Sequence, residues 1–152
     1  MVLETGSVPD ITLTSTSGQR VALRTLERAI IYFYPKDKTP GCTVQACGFR
    51  DSKSEFDQRG WAVYGVSTDG IESHESFINS YDLTFELLTD PNHEAAEAFG
   101  VWTEKKMFGK TFHSTKRVTF AIENGTIMKV WTQVNVKTNA KDVLDWIDTR
   151  SV

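Results

Sequence analysis

The stretch "YFYPKDKTPGCTVQACGFRD", residues 32–51, holds both cysteines of the chain and marks a passage from a strand into a helix. Apolar residues run without interruption from Ala29 to a stop at Pro35, which is typical of a strand buried on both faces. No proline interrupts the segment from about Thr43 to Arg59, and its apolar residues form a partial face. We therefore predict a helix there.

A second apolar segment, "WAVYGVST" at residues 61–68, follows that helix. Strand, helix and strand make a βαβ unit, whose two strands are expected to be parallel. The remaining patterns predict a hairpin at 11–23, a helix at 69–81 and a strand at 84–90. A short helix is predicted at 90–100, with Asp90 as its cap and Pro91 in its first turn. The last part of the chain is predicted to form a polar loop at 101–116, a hairpin at 117–134 around Asn124-Gly125, and an amphipathic helix at 139–150.

The order of these elements predicts an α/β fold with a central mixed sheet and helices on both faces. It resembles a thioredoxin-like fold that carries an N-terminal hairpin extension. No repeat or linker divides the sequence, and its length suits one well-packed core, so we expect a single domain over residues 1–152. In such sheets, sites gather beyond the carboxyl ends of the strands, which directs attention to the segment after Pro35.

Composition excludes several classes of function. The net charge is −3, and no basic block is present to displace the counterions of a phosphate backbone, so nucleic-acid binding is not expected. No apolar run approaches the ~20 residues of a membrane span. The N-terminus "MVLETGSVPD" has no basic patch followed by an apolar core, as a secretory signal would have. We therefore expect a cytoplasmic protein without a membrane partner.

Cys42 follows a turn formed by Thr39, Pro40 and Gly41, in or beside the first turn of the predicted helix. Unpaired backbone N–H groups and the positive end of the helix dipole lie at that point, and both favour an anion. Cys42 is thus placed to act as a thiolate nucleophile. Thr39 lies three residues before it and is a candidate to hydrogen-bond either the sulfur or a bound oxygen.

Cys42 and Cys47 are five positions apart, which an intact helix cannot bridge. Residues at that spacing differ by ~7.5 Å in rise and ~140° around the axis, whereas a disulfide needs Cα atoms ~4.4 to 6.8 Å apart with facing Cβ atoms. A bond between the two would require the first turns to unwind. Such a bond would belong to a second conformation, as catalytic or switching disulfides do.

Other interpretations of the cysteines remain open at this point. Two isolated helix cysteines can be small buried hydrophobic residues without chemistry. A zinc site is disfavoured because no second Cys/His pair has ligand spacing, and we interpret His74, His93 and His113 as exposed or capping residues. A thioredoxin-type dithiol exchanger would need C-x-x-C, which the chain lacks.

The segment "PKDKTPGC" contains P-x-x-x-T-x-x-C, formed by Pro35, Thr39 and Cys42, and this resembles the active-site signature of peroxiredoxins. The wider stretch is similar to the peroxiredoxin Q branch, also called bacterioferritin comigratory protein. Many members of that branch have a resolving cysteine at the position of Cys47. "EKKMFGK" and "RVTFAIENG" also resemble this branch, with Arg117 at the position of the family's active-site arginine. The resemblance covers nearly the whole chain.

This resemblance implies a thiol peroxidase that acts on hydrogen peroxide and organic hydroperoxides. Cys42 would attack the peroxide and become a sulfenic acid, while Arg117 polarises the substrate, Thr39 hydrogen-bonds its oxygen and Pro35 shields the sulfur. Cys47 would then form an intramolecular disulfide, which thioredoxin or a similar dithiol protein reduces.

The resemblance implies no metal or organic cofactor, and it makes a monomer sufficient, with a weak dimer as the alternative. We interpret Gln45 as a solvated side chain, with the orientation of Arg117 as its alternative role. A redox sensor or partner-binding switch that uses the same cysteine pair is the main alternative function. A general oxidoreductase of protein disulfides is the third, and reduction of insulin would reveal it.

Overall fold

The computed structural model describes residues 1–150. These residues contain ten strands, five α-helices and one 3-10 turn, joined by loops. The strands are β1 (Gly6–Ser7), β2 (Thr12–Ser15), β3 (Arg20–Ala22), β4 (Arg28–Phe33), β5 (Ala62–Ser67), β6 (Glu86–Thr89), β7 (Trp102–Met107), β8 (Lys110–Thr115), β9 (Val118–Glu123) and β10 (Thr126–Trp131). The helices are α1 (Pro40–Asp51), α2 (Lys53–Gln58), α3 (Ile71–Tyr81), α4 (Glu94–Ala98) and α5 (Asn139–Arg150), and the 3-10 turn is Leu23–Thr25. No helix within residues 1–150 combines the length and apolar character that crossing a membrane requires.

Eight strands form one mixed sheet in the order β1-β10-β9-β4-β5-β6-β2-β3. The β4–β5 and β5–β6 pairs are parallel, and the remaining neighbours in the sheet are antiparallel. The β4–β5 register runs from Ala29 opposite Ala62 to Phe33 opposite Val66, which confirms the predicted βαβ unit. The predicted N-terminal hairpin is β2–β3, and it enters the same sheet because β2 pairs with β6.

Strand β4 lies at the centre of the molecule and has a core on each face. Ile31 and Phe33 point into the core that also contains α4, whereas Ile30 and Tyr32 point into the core shared with α1, α2, α3 and α5. All four side chains are at most 1% exposed. Removing an aliphatic or aromatic side chain of this size from water contributes about 1.5–3 kcal/mol, which explains the continuous apolar run. The prediction of helices on both faces of a mixed sheet is confirmed.

The prediction of a polar loop at residues 101–116 is wrong. Strands β7 and β8 form a separate antiparallel hairpin, and the two residues that join them are Phe108 and Gly109. Both have positive φ, 53° and 74°, as a type I′ hairpin turn requires. The side chains near the tip are exposed on both faces, so the segment lacks the alternation of apolar and polar residues that identifies most strands.

The predicted helix at residues 43–59 is divided in two. It begins earlier, at Pro40, because proline suits the first helical position, where no hydrogen-bond donor is needed. It breaks at Ser52, whose φ and ψ of −99° and 3° leave the helical region and whose N–H is shared between the carbonyls of Gly48 and Phe49. The short helix α4 also differs, since it begins at Glu94 and leaves Pro91 outside.

The structure confirms the predicted cap of the short helix and the predicted turn of the last hairpin. The carboxylate of Asp90 caps α4 by accepting the N–H groups of Ala95 and Ala96 at 3.0 and 2.9 Å. Asn124 and Gly125 have φ of 49° and 79° and form the turn between β9 and β10. The final helix has the predicted bounds, and its apolar stripe packs against the sheet.

Candidate active site

Cys42 lies at the carboxyl end of β4, in the first turn of α1. The strand ends at Phe33, residues 34–39 form a connecting loop, and the helix begins at Pro40. The side chain of Cys42 is only 1% exposed and its thiol is free. Helix starts present backbone N–H groups without helical partners, so this buried sulfur occupies a place that favours negative charge.

Arg117 reaches this sulfur because β9 is the antiparallel neighbour of β4. Phe33, the last residue of β4, pairs with Val118, so the residue before Val118 lies beside the helix start. Arg117 Nη2 donates to Cys42 Sγ at 3.3 Å. The structure thus brings Arg117 and Cys42 together. A cysteine that served only as a small hydrophobic residue would not require a guanidinium group as neighbour.

Gln45 is not solvated, contrary to our interpretation of the sequence. It is 1% exposed, and its Oε1 accepts a hydrogen bond from Arg117 Nη1 at 2.6 Å. Its Nε2 donates to Asn139 Oδ1 at 2.9 Å, and Thr119 Oγ1 donates to the same oxygen at 3.0 Å. Gln45 is thus tied to α5 and, through Arg117, to the segment before β9. It holds one terminal nitrogen of the guanidinium group while the other terminal nitrogen donates to the sulfur.

Gly41 leaves the space that Arg117 occupies. A Cβ atom at position 41 would lie 3.3 Å from Arg117 Nη2, the same nitrogen that donates to Cys42. The nearest other contact would be Val136 Cγ1 at 3.9 Å. A side chain at position 41 would therefore make a tight contact with the arginine, which glycine avoids.

Thr39 occupies the N-cap position of α1 with an extended backbone, φ −71° and ψ 153°, but its hydroxyl does not cap the helix. The hydroxyl instead donates to the Lys36 carbonyl at 2.8 Å, and this bond closes the loop before the helix. The oxygen of Thr39 keeps its capacity to accept a hydrogen bond. Pro35 begins the same loop and is half-buried.

Asp37 anchors this loop to α3 and β6 from inside the protein. Its carboxylate accepts the hydroxyl hydrogens of Tyr34 at 2.6 Å and Ser73 at 2.8 Å, and His74 Nδ1 lies 2.7 Å away. His74 Nε2 is 3.0 Å from the Leu88 carbonyl, which only accepts, so this nitrogen carries a hydrogen. Burial raises the pKa of Tyr34 well above 10, and its hydroxyl therefore remains a donor.

The interpretation of His74 as exposed or capping is wrong, because its side chain is fully buried. Asp37, Asp69 and His74 have potential metal-ligating atoms within 4.8 Å of one another. Those atoms are engaged in hydrogen bonds: Asp69 Oδ2 accepts from the Asp37 N–H at 2.8 Å and from Ser67 Oγ at 2.7 Å. The group is accordingly a hydrogen-bonded support for the loop.

The other two histidines lie around Trp102. His93 is half-buried and occupies the N-cap position of α4 with φ 48°, although it makes no side-chain cap bond. Its ring stacks on Trp102 with 4.4 Å between centroids, and exposed His113 stacks on the same indole at 5.7 Å. These contacts join the β7–β8 hairpin to α4.

Cys47 is half-buried and free, and it belongs to the same unbroken helix as Cys42. The two residues are therefore in the arrangement that the sequence predicted for a reduced pair. A disulfide between them requires α1 to unwind over the residues that separate them.

Two buried polar residues beside the site were missed in the sequence, although the signal was present. His74, Phe77, Ile78 and Tyr81 follow helical spacing, so His74 belongs to the apolar face of α3. Asn139 similarly heads the buried stripe of α5. A polar residue on an apolar stripe predicts a buried hydrogen-bond partner, and the partners here are Asp37 and Gln45.

A thioredoxin-like mixed sheet, with a buried cysteine at a helix start and an arginine donating to its sulfur, defines the class of thiol-dependent peroxidases called peroxiredoxins. The comparisons with known proteins agree. Residues 5–130 match the AhpC/TSA family, and the chain belongs to this family.

Similar proteins belong to the Bcp or peroxiredoxin Q group. The chain is 44% identical to a putative peroxiredoxin bcp of Haemophilus influenzae over 142 residues, which cover 91% of this chain and 92% of that protein. It is 41% identical to peroxiredoxin Bcp of Bacillus subtilis over 99% of each chain. Peroxiredoxin Q of Xanthomonas campestris superposes with a TM-score of 0.87 and 34% identity, covering 94% of this chain and 92% of that one. The chain is thus a thiol-dependent peroxidase that uses a peroxide substrate and a thiol reductant.

Proposed function

We propose that Cys42 is the peroxidatic cysteine of this enzyme and Cys47 its resolving cysteine. The observation that carries the proposal is the hydrogen bond from Arg117 Nη2 to the buried Cys42 sulfur at the start of α1. In the first step the Cys42 thiolate attacks the terminal oxygen of a peroxide, ROOH. The O–O bond breaks, the attacked oxygen and its hydrogen remain on Cys42 as a sulfenic acid, and the leaving oxygen takes up a proton equivalent to the one the thiol released on ionising, so that ROH or water leaves.

Arg117 and Thr39 act on the peroxide in this scheme, and Pro35 protects the sulfur. Arg117 places positive charge and hydrogen-bond donors beside the reacting oxygen, where negative charge develops. Thr39 accepts the peroxide O–H, because its own hydroxyl hydrogen is directed to the Lys36 carbonyl. Pro35 begins the loop before the helix, and in this scheme it shields the sulfur and limits the approach of bulky thiols.

The second step forms the disulfide. The Cys47 thiol attacks the sulfur of the sulfenic acid, an S–S bond forms, the S–O bond breaks and water leaves. The helix must open between the two cysteines for this step. Both cysteines belong to one chain, so we propose that a monomer completes the cycle within a single domain, with thioredoxin or a similar dithiol protein of the cytoplasm as reductant.

The substrates we propose are hydrogen peroxide and organic hydroperoxides. A solved structure of the Xanthomonas campestris bacterioferritin comigratory protein, 33% identical to this chain with a TM-score of 0.87, is described in terms of alkyl peroxide reduction activity. That similarity supports the inclusion of organic hydroperoxides.

The proposal is tested by mass spectrometry of the reduced protein before and after one equivalent of hydrogen peroxide. We expect a loss of about 2 Da, mapped to a Cys42–Cys47 bond and reversed by thioredoxin. Cys42→Ser should abolish peroxide consumption, and retained turnover would contradict the proposal. Cys47→Ser should consume one equivalent and stop at a sulfenic acid. A bond that forms without steady turnover by thioredoxin would favour a redox sensor instead.

A further inference from the structure

Asn139 is a buried polar residue to which the proposed chemical steps assign no role. It begins α5, is 2% exposed, and accepts two hydrogen bonds through one oxygen. The donors are Gln45 Nε2 at 2.9 Å and Thr119 Oγ1 at 3.0 Å, so this oxygen joins α5 to both α1 and β9. Leaving a buried polar atom without a hydrogen-bond partner raises the free energy of the folded protein. Each of these bonds therefore opposes separation of the elements that it joins.

The direction of these hydrogen bonds follows from Arg117, whose guanidinium group only donates. Gln45 must turn its Oε1 towards Arg117, and its Nε2 consequently faces Asn139. Asn139 must therefore present its oxygen. An uninterrupted series of hydrogen bonds links the sulfur of Cys42 through Arg117 and Gln45 to the first residue of α5.

Gln45 lies between Cys42 and Cys47, inside the segment that must unwind for the two sulfurs to meet. Opening of this segment withdraws Gln45 and breaks its bonds to both Asn139 and Arg117. In the open form water can solvate Gln45, whereas in the closed form its Nε2 donates to the oxygen of Asn139. The strength of that acceptor thus enters directly into the equilibrium between closed and open α1.

We propose that Asn139 is a positioning residue that holds the first turns of α1 closed through Gln45 and so decides how the oxidised enzyme divides between two fates. This inference rests on the proposed function. In the open form, the Cys47 thiol attacks the Cys42 sulfenic acid, and the disulfide and water are produced. In the closed form, the sulfenic acid attacks a second peroxide, takes one oxygen and becomes a sulfinic acid, while the alcohol or water leaves.

Two variants with side chains of similar shape distinguish the effect of the hydrogen-bond acceptor from the effect of side-chain packing. Leucine and aspartate both share the branching of asparagine at Cγ, but Asn139→Leu has no acceptor and Asn139→Asp has two. Asn139→Ala, measured beside them, removes the acceptor without adding apolar volume. Thr138→Ala is the matched control, since it removes an exposed hydrogen bond to Asp142 at the same helix end without contacting Gln45.

The first readout is hydrogen exchange of the reduced protein, which needs no peroxide. We expect Asn139→Leu and Asn139→Ala to exchange the amides between Cys42 and Cys47 about fivefold faster, the effect of one lost hydrogen bond. The second readout follows a peroxide pulse, where disulfide formation should accelerate by the same factor. The peroxide concentration that converts half of Cys42 to sulfinic acid should rise correspondingly. Asn139→Asp keeps an acceptor and should exchange these amides no faster than the wild type, while Thr138→Ala should match the wild type in all three measurements.

If amide exchange is accelerated equally in Asn139→Leu and Asn139→Asp, the inference is overturned, because packing and not the hydrogen-bond acceptor would then control the opening of α1. Unchanged exchange in both the Leu and Ala variants would overturn it as well. Suppose the wild type forms no disulfide, but amide exchange is faster in the Leu and Ala variants as expected. The proposed function then fails, and the role of Asn139 in closing α1 stands. If the wild type forms its disulfide and the Leu and Ala variants form it no faster, the proposed function stands and this inference fails.

Discussion

Arg117 donates to the sulfur of Cys42 at 3.3 Å, although the two residues are 75 positions apart in the sequence. The second terminal nitrogen of the same guanidinium group donates to Gln45 at 2.6 Å. Arg117 is therefore fixed by one residue of α1 while it contacts another. Its distance from the sulfur depends on the conformation of the first two turns of α1.

Arg117→Ala should slow the reaction of Cys42 with hydrogen peroxide by about 10- to 100-fold. The variant loses a charge-assisted hydrogen bond, which is worth about 1.5–3 kcal/mol. Stopped-flow measurement of the second-order rate constant with the reduced enzyme provides the test. Arg20→Ala, which removes an exposed arginine that donates to Thr14, is the control and should retain the wild-type rate. An unchanged rate for Arg117→Ala would remove this residue from the site.

Gly41→Ala should lower the same rate constant about tenfold without destabilising the helix. The new Cβ would lie 3.3 Å from Arg117 Nη2, and the bond from Arg117 to Gln45 prevents the guanidinium group from moving away freely. Alanine also has a better helix propensity than glycine by about 1 kcal/mol, so stability should not fall. The measurements are peroxide kinetics and urea unfolding of the same samples.

Gly48→Ala is the matched control for this experiment, because it makes the same change in the same helix. A Cβ at position 48 would meet only Ala140 Cβ at 4.0 Å, which is ordinary contact. Its peroxide kinetics should equal those of the wild type. If both glycine variants slow the reaction equally, the effect arises from the helix as a whole and not from the contact with Arg117.

The central sheet and the cysteine pair could be predicted because their signals are local. The apolar run that ends at Pro35 indicates a buried strand, and the proline-free segment from about Thr43 to Arg59, with its partial apolar face, indicates a helix. The five-residue spacing of Cys42 and Cys47 then shows that an intact helix would keep the two sulfurs apart. The β7–β8 hairpin could not be predicted in this way, because its exposed tip has no buried face and its turn is Phe108-Gly109, without the usual asparagine.

The polar contacts around the site were the least predictable feature. The bonds of Gln45 to Arg117 and Asn139 span 72 and 94 positions, and those of Asp37 and His74 join a loop to a helix. Such pairings depend on how the sheet brings distant segments together, and a single sequence carries no local pattern for them. What the sequence does contain is the place of a polar residue on an apolar stripe, as at His74 and Asn139.

Asp37→Ala should lower the free energy of unfolding by about 3 kcal/mol. The change removes the carboxylate that accepts from Tyr34 and Ser73 and lies against His74 Nδ1, and it leaves these buried polar groups without a partner. Chemical denaturation of the reduced protein measures the loss. Asp37→Asn retains one oxygen and should lose less, while a loss below about 0.5 kcal/mol in the Ala variant would contradict the assignment of Asp37 as the loop anchor.

Glu123→Gln should destabilise the protein near pH 7 and have no effect in acid. Hydrogen bonds first from Arg150 and then from Arg28 hold the pKa of Glu123 below its ordinary value of 4.5. A carboxyl whose pKa is lowered in the folded state contributes stability above the unfolded pKa and loses it as the pH falls through the folded pKa. The side chains of Arg28 and Arg150 are 53% and 31% exposed, so solvent limits the contribution to about 0.5–1 kcal/mol.

The measurement is urea unfolding of the wild type and Glu123→Gln at several pH values from neutral to about 3. The difference in unfolding free energy should be constant from about pH 7 to 5, shrink below about pH 4.5, and vanish once Glu123 is protonated in the folded protein. Molar salt should reduce the difference at neutral pH, since these partners are partly exposed. A difference that persists unchanged at about pH 3 would show that the side chain stabilises the fold through packing, and not through its charge.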